Sequence, residues 1–267
     1  MAIVLGRLTL LTNLSLGQAW SFSNDCTYDT NHAGDIIGHL TGLQILALRC
    51  VVDQIPAAFS NLQHLCTLTI SGNGEEWPNF AVQPSFSSRR KLQSLFLLEH
   101  FSAVTEADWL NACIALSALP SLSSILMSMV DLNDLQAQEW AFGSRLTHLR
   151  ISESCSEDFP EALVSLTSLR CLGFNMTSLE DLPELPAGPY LQHLTSLDLC
   201  DTKLPAFPEA LSQASKLRQF TSFDDEPWLG LDKLKAILPS CCEVDFIEGG
   251  SDEDAANDTE AHGAEAS

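Results

Sequence analysis

Positive charge is what this sequence lacks most. Its 267 residues hold 13 Lys and Arg against 35 Asp and Glu, a formal net charge of −22. A surface of that kind repels phosphate backbones and anionic headgroups, which sets aside nucleic acid and membrane surfaces as partners. Part of the excess sits in residues 248–267, where Glu248, Asp252, Glu253, Asp254, Asp258, Glu260 and Glu265 stand without a Lys or Arg. Setting those seven aside leaves 28 acids against 13 bases, a body of about −15. Aromatic residues make up only 7% of the chain and just two are tyrosines, so no large aromatic core is available. Long hydrophobic runs are missing as well. No stretch approaches the ~20 apolar residues needed to span a bilayer. The opening "MAIVLGRLTLLTNLSLG" has no basic n-region, and Arg7 and Asn13 break its apolar run. These absences predict a soluble, unexported protein.

Catalytic signatures are missing too. The chain has no Gly-rich phosphate loop, no H-E-x-x-H and no G-x-S-x-G. It has nine cysteines but no C-x-x-C, and the number is odd. Most lie inside leucine-rich segments, where a thiol behaves as a small hydrophobe. The expectation is reduced thiols in a cytoplasmic or nuclear protein, with no metal and no cofactor. Cys241–Cys242 has no second pair and no nearby His, and reads as a packed cap. His64 and His193 occupy one slot in matching "LQHL" strings and read as repeat filler. The sequons at Asn13, Asn175 and Asn257 go with no export signal. The one basic cluster, Ser87–Lys91, is a solvated loop or a dock for an acidic peptide.

What the chain has in abundance is regularly spaced leucine. "FPEAL" occurs at Phe159–Leu163 and again at Phe207–Leu211, 48 residues apart, with another unit between. The pattern L-x-x-L-x-L recurs at Leu11/Leu14/Leu16, Leu43/Leu46/Leu48, Leu65/Leu68/Ile70, Leu92/Leu95/Leu97 and Leu122/Ile125/Met127. It continues at Leu146/Leu149/Ile151, Leu169/Leu172/Phe174 and Leu194/Leu197/Leu199, then degrades at Leu217/Phe220, where Ser222 takes the third place. Second halves recur as well, in "IPAAFSNLQHL", "FPEALVSLTSL" and "FPEALSQASKL". Within each short strand the leucines face one way and the residues between them the other. Proline then ends the extended stretch and starts a tight turn or short helix. One unit cannot bury its leucines alone, whereas stacked neighbours can.

These units resemble the leucine-rich repeat family, closest to its plant-like and Ras-group intracellular forms, over roughly residues 5–246. The resemblance implies an α/β fold: a curved leucine-rich repeat solenoid with short parallel strands on the concave face and short helices or turns on the convex face. The expected organisation is a solenoid over 1–247, of about nine repeats, followed by an acidic, disordered tail over 248–267. Residues 226–246 form a helix-strand cap. The family's Asn slot holds Asn73 once and Ser154, Thr177 and Thr202 elsewhere, where hydroxyls can make part of the same bonds. Residues 17–39 read as a polar insertion. Residues 105–119 read as a helix capped by Thr105. No cap precedes the first repeat, so the chain is expected to dock there or to continue a longer protein.

An open sheet suits binding a protein better than catalysis. Outward positions fall two, four and six places after each first leucine. Most are small. The exceptions cluster: Phe96, Leu98 and Leu126 make an apolar patch, His148 and Arg150 stand on the next coil, and Asp198 lies two coils further on. Such neighbours suit an interaction hot spot, or Phe96 and Leu126 pack under a loop from 99–121. Arg150 would take a carboxylate from the partner, and Asp198 a Lys or Arg. The implied function is a non-enzymatic, monomeric scaffold or adaptor binding a protein partner. The alternative is the substrate-recognition part of a larger assembly, such as a ubiquitin-ligase receptor, a receptor-type signalling protein or an axonemal or cytoskeletal component.

Overall fold

The computed structural model describes residues 8, 10–17, 30–49, 56–71, 91–98, 113–128, 142–153, 159, 161–175, 185–200, 202, 209–223 and 231–247. The 18–29 part of the polar insertion, the Thr105 cap, Asn73, Ser154, Thr177, the Arg89–Arg90 pair and the tail lie outside these residues.

Ten strands form a single sheet in chain order, every neighbouring pair parallel. They are β1 (Asn13–Gly17), β2 (Ile45–Arg49), β3 (Thr67–Ser71), β4 (Ser94–Leu98) and β5 (Ser124–Ser128). The series continues with β6 (His148–Ser152), β7 (Cys171–Asn175), β8 (Ser196–Leu199), β9 (Gln219–Phe223) and β10 (Glu243–Ile247). Every L-x-x-L-x-L unit supplies one strand, and the expected cap supplies the tenth. Parallel pairing needs a crossover between neighbours, and each coil provides one on the side away from the outer strand face.

The strand phase follows the leucines. Leu46, Leu95, Leu197 and Phe220 are fully buried, and so are the first leucines of their units, Leu43, Leu92, Leu194 and Leu217. The crossovers carry short helical pieces: 3-10 turns at Ala57–Asn61, Gly143–Arg145, Pro189–His193 and Glu209–Gln213, and helix α2 at Glu161–Val164. Pro56, itself extended at φ −58° and ψ 137°, stands directly before its turn. Residues 113–117 are helical, which is the described part of the helix expected over 105–119.

One crossover differs from expectation. Thr30–Gly38, inside the polar insertion, is helix α1. Ile37 and Leu40 bury against the core, and Gly34 and Gly38 let the helix lie against the next crossover. A Cβ at Gly38 would meet both the Cβ and the carbonyl oxygen of Ala58 at 2.7 Å. Two glycines and a short apolar set hid this helix from pattern reading. Toward the C-terminus, helix α3 (Leu231–Ile237) leads into β10, in the helix-then-strand order read for residues 226–246.

Backbone hydrogen bonds register each coil on the one before it. The carbonyl preceding a strand accepts two successive amides from the next coil: Thr12 O from Gln44 and Ile45, Gln93 O from Ser123 and Ser124, Arg170 O from Thr195 and Ser196. The same pairing recurs at Gln44, Cys66, Ser123, Thr147 and Thr195. Thr202, in the family's Asn slot, is buried and its hydroxyl donates to Phe174 O at 2.7 Å. One hydroxyl thus bridges two coils, as its slot requires.

Candidate protein-docking face

The outer face of the sheet is built from the residues between the leucines. Register sets them in rows across the strands. One row runs Thr69, Phe96, Leu126, Arg150, Gly173, Asp198, Thr221, Asp245. The row beside it runs Thr67, Ser94, Ser124, His148, Cys171, Ser196, Gln219, Glu243. Phe96, Leu126 and Arg150 are therefore direct cross-strand neighbours, with Cβ atoms ~5 Å apart. Phe96 and Leu126 are half-buried, and so is Leu98, paired with Ser71 at the strand end.

Leu98's own row is a correction to the sequence reading. Ser71, Ser128 and Cys200, assigned there as outward positions, are buried at 3%, 7% and 7% exposure. Leu98, Ser152 and Asn175 of the same row stay half-buried, so this burial is local. β8 stops at Leu199, and Cys200 already belongs to the turn.

Arg150 and Asp198 do not wait for a partner's charges. Arg150 Nη2 donates to Asp198 Oδ2 at 2.7 Å, spanning β7. Gly173 lies between them in the row, and a Cβ there would stand 3.0 Å from Arg150 Nε. The other carboxylate oxygen of Asp198 accepts the Cys200 amide at 3.2 Å. His148 is exposed, its Nδ1 2.9 Å from Thr147 Oγ1. That hydroxyl donates its only proton to Ser123 O at 3.0 Å, so Nδ1–H donates to the hydroxyl oxygen. Ile45, 42% exposed on β2, is a further apolar group on this face. Its small row neighbours Thr67 and Ser94 gave sequence reading no cluster to notice.

Two hollows accompany the fold. One, of about 370 Å³, opens on the outer face among Cys171, Thr195, Ser196, Arg218, Gln219, Cys241 and Glu243. The other, of about 490 Å³, lies among the turns of the second and third coils, lined by His39, Asn61, Gln63 and His64 with Gly38, Thr41 and Gly42. His64 and His193 prove to share more than a slot. Lys91 Nζ donates to His64 Nδ1 at 3.1 Å, and Lys216 Nζ to His193 Nδ1 at 2.8 Å.

Nucleophile chemistry finds little support in these groups. Burial pushes the Cys171 thiol up, against the opposing pull of a Thr195 hydrogen bond and the Arg150 and Arg170 charges. Burial, with Cys241 and Glu243 nearby, pushes Cys242 up as well. A raised thiol stays protonated at neutral pH and attacks poorly. Cys66, Cys171, Cys241 and Cys242 are free thiols. Among the described residues no group of three His, Cys, Asp or Glu is placed to hold a metal ion, and no helix is long and apolar enough to cross a membrane.

No protein-family model and no curated protein matches the chain. Solved structures do. An internalin from Listeria monocytogenes aligns over 92% of this chain and 64% of its own, at 19% identity and a TM-score of 0.55. Toll, in the Drosophila Toll–Spätzle complex, aligns over 79% of this chain and 31% of its own, at 17% identity and a TM-score of 0.52. A leucine-rich repeat protein from Leptospira interrogans aligns at 18% identity, over 91% of this chain and 62% of its own, with a TM-score of 0.48. The chain thus spans less than two thirds of each of these neighbours. Ten parallel strands, buried leucines recurring along the stack and the likeness to the internalin and Toll structures together show that the chain folds as a leucine-rich repeat solenoid.

Proposed function

We propose that this protein is a non-enzymatic scaffold or adaptor that holds a protein partner on the outer face of its sheet. Its second-half pattern, as in Ile55–Leu65, supports kinship with the plant-like and Ras-group intracellular leucine-rich repeats, and it acts in the cytoplasm as a monomer. The observation carrying this reading is the contiguous row Phe96–Leu126–Arg150. Two half-buried apolar side chains sit there side by side, next to a guanidinium whose side chain is 50% exposed. Aromatic and Arg residues side by side are favoured at interaction hot spots. Leu98, His148 and Asp198 frame the same patch.

Photo-crosslinkers decide the matter when placed in turn at Ser124 on the sheet face and at Ser212 on the crossover side. The reading requires that Ser124 captures a discrete cellular partner, that Ser212 does not, and that Phe96→Ala abolishes the capture while leaving Tm unchanged. Capture from Ser212 alone would place binding on the other side of the coil. Unfolding of Phe96→Ala would identify the patch as packing.

A further inference from the structure

The sheet divides into two halves by charge. At the first four residues of each strand and the one before it, β1–β5 hold no Asp, Glu, Lys, Arg or His, in a chain with 35 acids. The same places on β6–β10 hold His148, Arg150, Arg170, Asp198, Arg218, Glu243 and Asp245. The boundary falls between Leu126 and Arg150, which are cross-strand neighbours. Arg150 turns away from it, laying its side chain over Gly173 to reach Asp198. In the two outward rows of β1–β5 no side chain is buried. Ile45 is 42% exposed, Phe96 and Leu126 are half-buried, and Thr67, Thr69 and Ser94 between them are small.

We infer that the partner docks on β1–β5 through an amphipathic helix whose contact face is apolar and carries no charge. This rests on the reading of Phe96 and Leu126 as the docking patch and deepens it. A charged side chain pressed onto these strands would lose its water and find no counter-charge in the two rows. An apolar one gains by covering Ile45, Phe96 and Leu126. Spacing selects the helix. Phe96 is one strand from Leu126, and Ile45 is three strands away and two residues toward the strand start. With strands about 4.8 Å apart and about 3.3 Å per residue, these separations from Leu126 are about 5 and about 16 Å. A helix rising about 1.5 Å per residue, with about 3.6 residues per turn, covers them at roughly its fourth and eleventh steps, both on one face. An extended strand would reach Ile45 at about its fifth step, which points the other way. The small residues between the anchors let a helix lie close.

The probe is the labelled peptide Ala-Leu-Gln-Gln-Ala-Leu-Gln-Gln-Leu-Ala-Gln-Ala-Leu-Gln-Ala, hydrocarbon-stapled across its far face, in fluorescence anisotropy on the full chain. Two twins carry Glu or Lys in place of the third Leu. The neutral peptide is expected to bind, and both twins to bind about tenfold weaker or more whatever their sign, each burying an unpaired charge. Its affinity should survive 1 M salt, where charges are screened beyond about 3 Å. Ile45→Ala and Phe96→Ala should each weaken it about fivefold or more through lost apolar contact. No binding of the neutral peptide, or a charged twin that binds as well or better, overturns the inference. A better-binding twin that still weakens in Phe96→Ala overturns it while leaving the docking patch standing. Neutral binding that responds to Ile45→Ala but not to Phe96→Ala supports the uncharged partner and removes Phe96 as an anchor. Binding indifferent to both substitutions lies off this face and overturns the inference.

Discussion

Arg150 and Asp198 meet over the top of a glycine. Their ion pair, 2.7 Å long, skips strand β7 because Gly173 has no side chain to stand in the way. The pair is half exposed on the Arg150 side, so its worth is that of a surface salt bridge. A double-mutant cycle on Arg150→Ala and Asp198→Ala should give a coupling of about 0.2–1 kcal/mol at low salt. Repeated in a Gly173→Val background, the coupling should fall to nothing, since the new side chain fills the lane. Undiminished coupling there would show that the arginine reaches Asp198 by another route.

Burial separates inward from outward positions sharply enough to test. Leu172 and Leu197 are 2% and 0% exposed on adjacent strands. Either change to Ala should cost about 2–5 kcal/mol in chemical denaturation, from lost transfer energy and the cavity left behind. Ser196→Ala, half exposed on the opposite face, should cost about 0.5 kcal/mol or less. Thr195 falls between, because its hydroxyl donates to Arg170 O at 3.0 Å, and Thr195→Ala should cost about 1 kcal/mol.

Thr202 offers a cleaner hydrogen-bond test. Thr202→Val keeps the shape but strands the Phe174 carbonyl in the interior, and should cost about 1–3 kcal/mol. Thr202→Asn, which restores a donor, should recover part of that loss. If the valine variant matches wild type in urea, the hydroxyl bridge contributes nothing.

At α1 the constraint is space. Gly38→Ala would press a methyl group against Ala58, and overpacking of that kind costs about 1–3 kcal/mol. Ala58→Gly removes the Cβ half of the clash but not the carbonyl half, so the double variant should regain only part of the stability. Full recovery would mean that the backbone carbonyl is not in the way.

Alkaline pH should reveal Tyr190. Its hydroxyl donates to Pro186 O at 2.8 Å, and burial holds its pKa far above the ordinary value near 10. The folded state keeps this proton longer than the unfolded state does. Its contribution is therefore intact below pH ~10 and is lost as pH climbs beyond that. In a Tyr28→Phe background, phenolate absorbance should appear only together with alkaline unfolding. Ionisation near pH 10 in a still-folded protein would contradict this.

The fold was legible because its determinant is one-dimensional. Leucines recurring at fixed places announce strands whatever lies between, and nine of the ten strands could be placed from them, the tenth being read from the helix-then-strand pattern of residues 226–246. Helix α1 escaped because its contact depends on glycines meeting Pro56 and Ala58, residues some twenty positions away that no local period encodes. On the sheet face, sequence supplied the rows and hence the adjacency of Phe96, Leu126 and Arg150. It could not supply the Arg150–Asp198 pair, which depends on a long side chain bridging an empty position. Nor could it tell that Ser71, Ser128 and Cys200 are buried, because exposure at the strand ends depends on what lies over them as well as on alternation.

The doubled hydrogen bonds between coils bear on how such a molecule can change over generations. Each carbonyl holds its successor through two backbone amides, with a threonine hydroxyl added only at Ser123 O and Arg170 O, so the shared part of the clamp does not depend on which side chains the neighbouring coil carries. Whole coils are interchangeable at these joints, whereas losing one residue between a turn and its strand would misalign every leucine of that coil. Lineages of this architecture can therefore lengthen or shorten by complete turns of the spiral, carrying ready-made surface rows with each turn, while single-residue slippage is purged.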